Sequence, residues 1–180
     1  MTLPVFFVYG VLNGLNGGRV SEIFTPPNGD DSSDDRPRLV LDTNTVLALW
    51  MFRDPKLDTL RAWIEAGHCL LLSREDALDE LRCVLAYRQF GLDEAAQVAL
   101  HARYRSRLAP WSPPPDAEAE RRISALPRCR DEDDQKFLEI ASLSDASAVI
   151  TRDKALLRLA RHRQIRERFR VVTPEHHFVS

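Results

Sequence analysis

Four acidic side chains, with a fifth beside one of them, stand where a charge needs a reason. Asp42 closes the apolar run "RLVLD", and Asp153 closes "AVITRD" in the same way. Asp is a poor strand former, and burying its charge is costly unless it is paired or holds a cation. Asp134 falls at the centre of the apolar face that Phe137, Leu138, Ile140 and Ala141 define on one predicted helix, in its first turn. Asp131 lies one turn earlier, near the border of that face. Glu80 borders the stripe of Ala77, Leu78, Leu81, Val84 and Leu85 on another predicted helix, about 40° from Val84 on an ideal wheel. Each acid alone has an ordinary explanation. Asp42, Asp153, Asp131 or Asp134 can cap a helix start, and Glu80 can be a solvated helix residue. Brought into one cleft, three or four carboxylates repel one another. Hard divalent cations such as Mg²⁺ or Mn²⁺, which prefer oxygen ligands, relieve that repulsion. Sites of this kind activate water and stabilise the transition state of phosphoryl transfer.

The elements that must position these acids alternate along the chain. "RLVLD" reads as a strand, and "TVLALWMF" starts a helix that Asp54-Pro55 interrupts. "KLDTLRAWIEAG" gives a helix ending at Gly67, and "HCLLLS" a second strand. Ser73 and Asp76 have the spacing of a capping box ahead of "REDALDELRCVLAYRQF". A helix over "LDEAAQVALHARYRSRLA", a stiff "PWSPPPD" loop and an ambiguous "AEAERRISAL" follow. "RDEDDQKFLEIASLS" predicts a helix, "ASAVIT" a strand, "DKALLRLARHRQI" a single helix and "FRVVTP" a last strand. Strands alternating with helices imply a parallel sheet covered on both faces, with ligands beyond the carboxyl ends of the strands.

The 180 residues suffice for one domain with a core plus an appendage, and the 44% hydrophobic fraction is that of a globular chain. Residues 13–37, rich in Gly, Asn, Ser, Asp and Pro, read as a linker, so residues 1–36 form an appendage and residues 37–180 the domain. The net charge of −2 gives no global nucleic-acid signal, although "RLARHRQIRERFR" sets six arginines against one glutamate. Cys69, Cys83 and Cys129 are too scattered for a disulfide framework and are expected to be reduced thiols of a cytoplasmic protein. The apolar stretch "LPVFFVYGVL" is too short to span a bilayer, so no membrane association is expected.

Taken together, "VLDTNTVL", "SREDALDELRCVL", "CRDEDDQKFLEIA", "AVITRDKALLRL" and "VVTPEHHF" resemble the PIN-domain ribonucleases, in family order from about Arg38 to Val179. The nearest branch is the toxin components of type II toxin–antitoxin systems. The resemblance implies a three-layer α/β/α, Rossmann-like fold with a central, mostly parallel sheet of four or five strands. It also implies Mg²⁺- or Mn²⁺-dependent endonuclease activity on RNA. Its four acids fall on Asp42, Glu80, Asp134 and Asp153, with Asp131 as a further acid of this branch and Asp133 as an alternative register for the third. Glu132 stands where the pattern has Pro. Asn44 and Thr151 match the small polar positions beside the first and fourth acids and are expected to hydrogen-bond the carboxylates. Arg130, Arg152 and Lys154 lie beside the acids and are candidates for substrate phosphates. A cognate antitoxin and a homodimer are the partners the resemblance suggests. The C-terminal arginines suit either RNA or an acidic antitoxin.

Three other readings compete. An aspartyl-phosphate phosphatase needs D-x-D-x-T, and "DTNTV" has Asn44 in place of the second Asp. A zinc site at His176-His177 lacks a partner at useful spacing. A catalytically inactive module binding RNA or a protein is the non-enzymatic alternative, against which stands the presence of all four acids. Trp50, Trp63 and Trp111 read as core or interface residues.

Overall fold

The computed structural model describes residues 34–175. The expected N-terminal linker and the His176-His177 pair lie outside these residues, the former up to residue 33. Four short strands, β1 (Arg38–Leu41), β2 (Leu70–Leu72), β3 (Ala148–Ile150) and β4 (Arg170–Val172), form one sheet in the order β2-β1-β3-β4. All three pairings are parallel, with Leu39 opposite Leu71 and Ala148, and Val40 opposite Leu72 and Val149.

The period of two along each strand sends alternate residues into two cores. Leu39, Leu41, Leu71, Ala148 and Ile150 face a cluster completed by Leu47, Trp50, Leu60, Leu81 and Tyr104. These come from α1 (Thr43–Val46) and its continuation, α2 (Asp58–Glu65), α3 (Glu75–Leu85) and α4 (Glu94–Arg105). Val40, Leu72, Val149 and Val171 face the opposite cluster, with Phe137, Leu138, Leu156 and Ile165. Here the helices are α6 (Gln135–Leu143), α7 (Lys154–Leu159) and α8 (Arg163–Arg166), while α5 (Asp116–Ser124) packs on α6. This is the three-layer α/β/α architecture expected from the alternation of strands and helices. Among the described residues no helix is long and apolar enough to cross a membrane.

Several elements depart from their expected form. The helix after β1 widens at Leu47–Met51 into a π-helical turn, with the Phe52 N–H reaching back to the Leu47 carbonyl at 2.8 Å. Such turns recur near functional sites. Ser73 does not cap α3. Arg74 takes the cap position, and Asp76 accepts from the Ala77 N–H and from the Arg74 guanidinium. The helix expected from Arg130 begins only at Gln135. Asp131 Oδ1 accepts from the Asp133 N–H at 3.1 Å, a local side-chain bond that holds the acidic run in a turn.

The helix expected over 153–165 is two. In one straight helix Ile165 would lie nine residues and about 180° from Leu156, on the solvent side. The break between Leu159 and Arg163 lets both reach the core, where each is 0% exposed.

The sheet order creates a switch point. The chain leaves β1 to one side for β2, then crosses to the other side for β3 and β4. Loops leaving adjacent strands in opposite directions open a crevice at the carboxyl edge, where α/β folds bind ligands. The strands on either side of that crevice are β1, directly followed by Asp42, and β3, with Asp153 three residues beyond its end.

Candidate active site

Asp42 follows β1 directly and is 2% exposed. It caps α1, as its ordinary reading predicts. Its Oδ1 accepts from the Thr45 N–H at 2.6 Å, while Oδ2 accepts from the Thr151 hydroxyl at 2.5 Å. Burial pushes its carboxyl above the usual range. The bonds from Thr151 and Thr45 oppose that shift, and the nearby charge of Asp153 adds to it.

Thr151, 0% exposed, joins the two strand-end acids. Its hydroxyl donates to Asp42 and accepts from the Asp153 N–H at 2.8 Å. Asp153 caps α7, with Oδ1 accepting from the Ala155 N–H at 2.6 Å and the Leu156 N–H at 3.0 Å. That leaves Oδ2 without a hydrogen bond among the described residues. Thr45 sends its hydroxyl across to the Ile150 carbonyl at 3.2 Å. The Asp42 N–H reaches the same carbonyl at 3.2 Å, so the β1 and β3 ends are held together.

Asp134 differs from both. It is the residue preceding α6, half-buried, and its carboxylate caps nothing. Among the described residues it accepts no side-chain hydrogen bond and joins no ion pair. Burial raises its carboxyl to about 6, and the charges of Asp153, Asp131, Asp42 and Glu80 contribute in that order. Four further acids thus act on one carboxylate that pairs with no cation among the described residues, and perturbed groups of this kind cluster at functional sites. Asp131 is exposed and bound in its own turn. Asp133 is likewise exposed.

Glu80 is brought to this cleft by α3 and is held there by Lys136 of α6, in a short ion pair whose side chains are 28% and 17% exposed. Sequence reasoning passed over Lys136. Its only signal was position, two residues beyond Asp134. A second ion pair, Arg74 to Glu139 at 2.9 Å, fastens the same two helices.

Two expected supporting roles are not seen in the structure. Asn44 is exposed and makes no side-chain hydrogen bond among the described residues, because α1 turns its position away from the sheet edge. Arg152 is committed elsewhere. It pairs with Asp54 at 2.6 Å and with Glu175 at 2.5 Å, tying the end of β3 to the loop after the π-helical turn and to the chain beyond β4. Arg130 and Lys154 are exposed. Trp50 is buried in the core with its indole N–H on Glu65, and Trp111 donates to the Ser73 carbonyl at 2.7 Å.

A family model described as PIN domain matches residues 38–155, from the first residue of β1 into α7. The chain belongs to the PIN-domain family. PIN domains are typically nucleases that act on RNA and generally use divalent metal ions. The match includes all four acids of the cleft. No curated protein matches the chain.

The residues present can be tested against a divalent ion. Among the described residues no three His, Cys, Asp or Glu side chains stand close enough together to hold one ion as placed. The donor chemistry nevertheless fits. Every candidate ligand is a carboxylate, one is unpartnered among the described residues, another has a free oxygen there, and neighbouring acids raise the proton affinity of Asp42 and Asp134. Such a PIN-domain cleft is short of positive charge, not of oxygen donors.

Proposed function

We propose that this protein is a metal-dependent endoribonuclease that hydrolyses RNA phosphodiester bonds, with residues 37–180 as the nuclease domain. The observation that carries the reading is Asp134, a half-buried carboxylate without a partner among the described residues, set among four other acids at the switch point of a PIN-domain sheet. Asp42, Asp134 and Asp153 would hold Mg²⁺ or Mn²⁺. When bound, the ion supplies charge neutralisation, activation of water and electrophilic stabilisation of the phosphate.

The chain's own residues set the stage. Thr151 fixes the rotamer of Asp42 and, through the Asp153 N–H, the spacing of the two strand-end acids. Capping bonds from Thr45, Ala155 and Leu156 hold one oxygen of each Asp and leave the carboxylates rigid. Asp134 is the adaptable member, free to turn toward the ion. Lys154 and Arg130, exposed beside the acids, are suited to contact backbone phosphates. Asp131, one turn away, adds negative charge that draws a cation in.

A toxin role, with an antitoxin partner, rests on the motif resemblance, and the exposed arginines of α7 and α8 offer an acidic partner a basic surface. Incubation with a long single-stranded RNA tests the nuclease reading. Internal cleavage with Mn²⁺ that EDTA abolishes is expected. Intact RNA in Mg²⁺ and in Mn²⁺, with RNA binding retained, would favour the inactive-module reading instead.

A further inference from the structure

We propose that Glu80 is the counter-ion of Lys136 and not a metal ligand, so that the cleft takes one divalent ion. The proposal rests on the metal-dependent reading above. Its ground is the ion pair itself. Glu80 and Lys136 meet across the α3–α6 interface with side chains 28% and 17% exposed, and among the described residues Glu80 has no other ionic partner. A Lys so far removed from solvent needs a carboxylate, because an unpaired ammonium there would carry most of its desolvation cost. Conversely, an ion that took Glu80 would have to leave Lys136 half-buried and unpaired.

Charge balance points the same way. Asp42, Asp134 and Asp153 together carry three negative charges, and a single divalent ion offsets two of them. Glu80 is already neutralised by the chain. Geometry supports this too, since Arg74, at the start of α3, pairs with Glu139 of α6 at 2.9 Å and is itself held by Asp76 of α3 at 2.6 Å, which keeps Lys136 facing Glu80. Lys136 is therefore a positioning residue, and its role is to set how many ions the acids recruit.

Mn²⁺ binding to the full chain, followed by calorimetry and by the loss of the free-ion EPR signal, tests this without reference to activity. The wild type is expected to bind one ion. Glu80→Gln, which keeps its size and still accepts a hydrogen bond from Lys136, should bind one ion within about threefold of the wild-type affinity. Lys136→Met, or the more conservative Lys136→Gln, should expose Glu80 and either add a second ion or tighten binding about tenfold, the effect of about 1.4 kcal/mol. Two ions on the wild type, or a loss of tenfold or more in Glu80→Gln, would overturn the proposal while leaving the metal-dependent reading intact. A wild type that binds no Mn²⁺ would overturn both.

Discussion

Replacing Thr151 by Val keeps the shape of a fully buried side chain and removes only its hydroxyl. Two bonds go with it. One is the donor to Asp42 Oδ2 at 2.5 Å, and the other is the acceptor for the Asp153 N–H at 2.8 Å. A hydrogen bond to a charged group contributes about 1.5–3 kcal/mol, and a buried N–H left unsatisfied costs about 1 kcal/mol or more. No cavity forms, so Thr151→Val should destabilise the metal-free protein by about 2–4 kcal/mol near neutral pH. Thr151→Ser restores the hydroxyl and should recover most of that loss, apart from the missing methyl.

The pH dependence gives an internal check. The Thr151 hydroxyl favours the ionised Asp42, so its loss raises a carboxyl that burial has already raised. The penalty should be full where Asp42 is ionised and should shrink under acidic conditions, where the carboxyl is protonated in both variants. Urea denaturation in EDTA, at neutral and mildly acidic pH, reads both quantities. A Thr151→Val loss below about 0.5 kcal/mol, or one unchanged by acidification, would refute the assignment of Thr151 as the link between the two acids.

Two further outcomes follow from the same geometry. Asp134, raised to about 6, binds its proton more readily in the folded protein than in the unfolded chain. The metal-free protein should therefore gain stability from this group as pH falls through about 6 and lose it as pH rises, the opposite of an ion-paired carboxylate. Mn²⁺ affinity should fall over the same interval as protons compete for the acid, which melting curves with and without Mn²⁺ will show. Arg152→Ala removes ion pairs to Asp54 and Glu175, all partly exposed, so the expected cost is about 1 kcal/mol or less in thermal unfolding, with RNA affinity within a few-fold of wild type. A drop of tenfold or more in RNA affinity would restore Arg152 as a substrate contact.

Much of this was legible in the chain, for identifiable reasons. Short branched strands separated by helices permitted little except a parallel sheet with two covered faces. Two strands ending in Asp had to place those acids on one edge. Helical phase put Asp134 on the buried side of its helix even though the helix begins later than expected, because the displaced residue stays at its N-terminal edge. What remained hidden depended on contacts across sequence. Lys136 meets Glu80 only once α3 and α6 are packed, a separation of 56 residues. Arg152 looked free beside the fourth acid because Asp54 lies 98 residues away. The break between α7 and α8 is a tertiary outcome, driven by the core demanding both Leu156 and Ile165. Asn44 was given its role from a motif position, and the turn of α1 points it to solvent.

The role proposed for Asp134, to serve a divalent ion in RNA hydrolysis, is checked by Asp134→Asn. Among the described residues the carboxylate makes no hydrogen bond, and it suffers repulsion from its neighbours, so the amide should leave the metal-free fold as stable as wild type or slightly more so. Mn²⁺-dependent cleavage of single-stranded RNA by wild type and Asp134→Asn should be measured side by side, with Mn²⁺ binding recorded on the same samples. A folded variant is expected whose cleavage rate and Mn²⁺ affinity both fall by about a hundredfold or more, the scale of losing one preorganised charge from an active site. Cleavage and Mn²⁺ binding at wild-type levels in Asp134→Asn would contradict it.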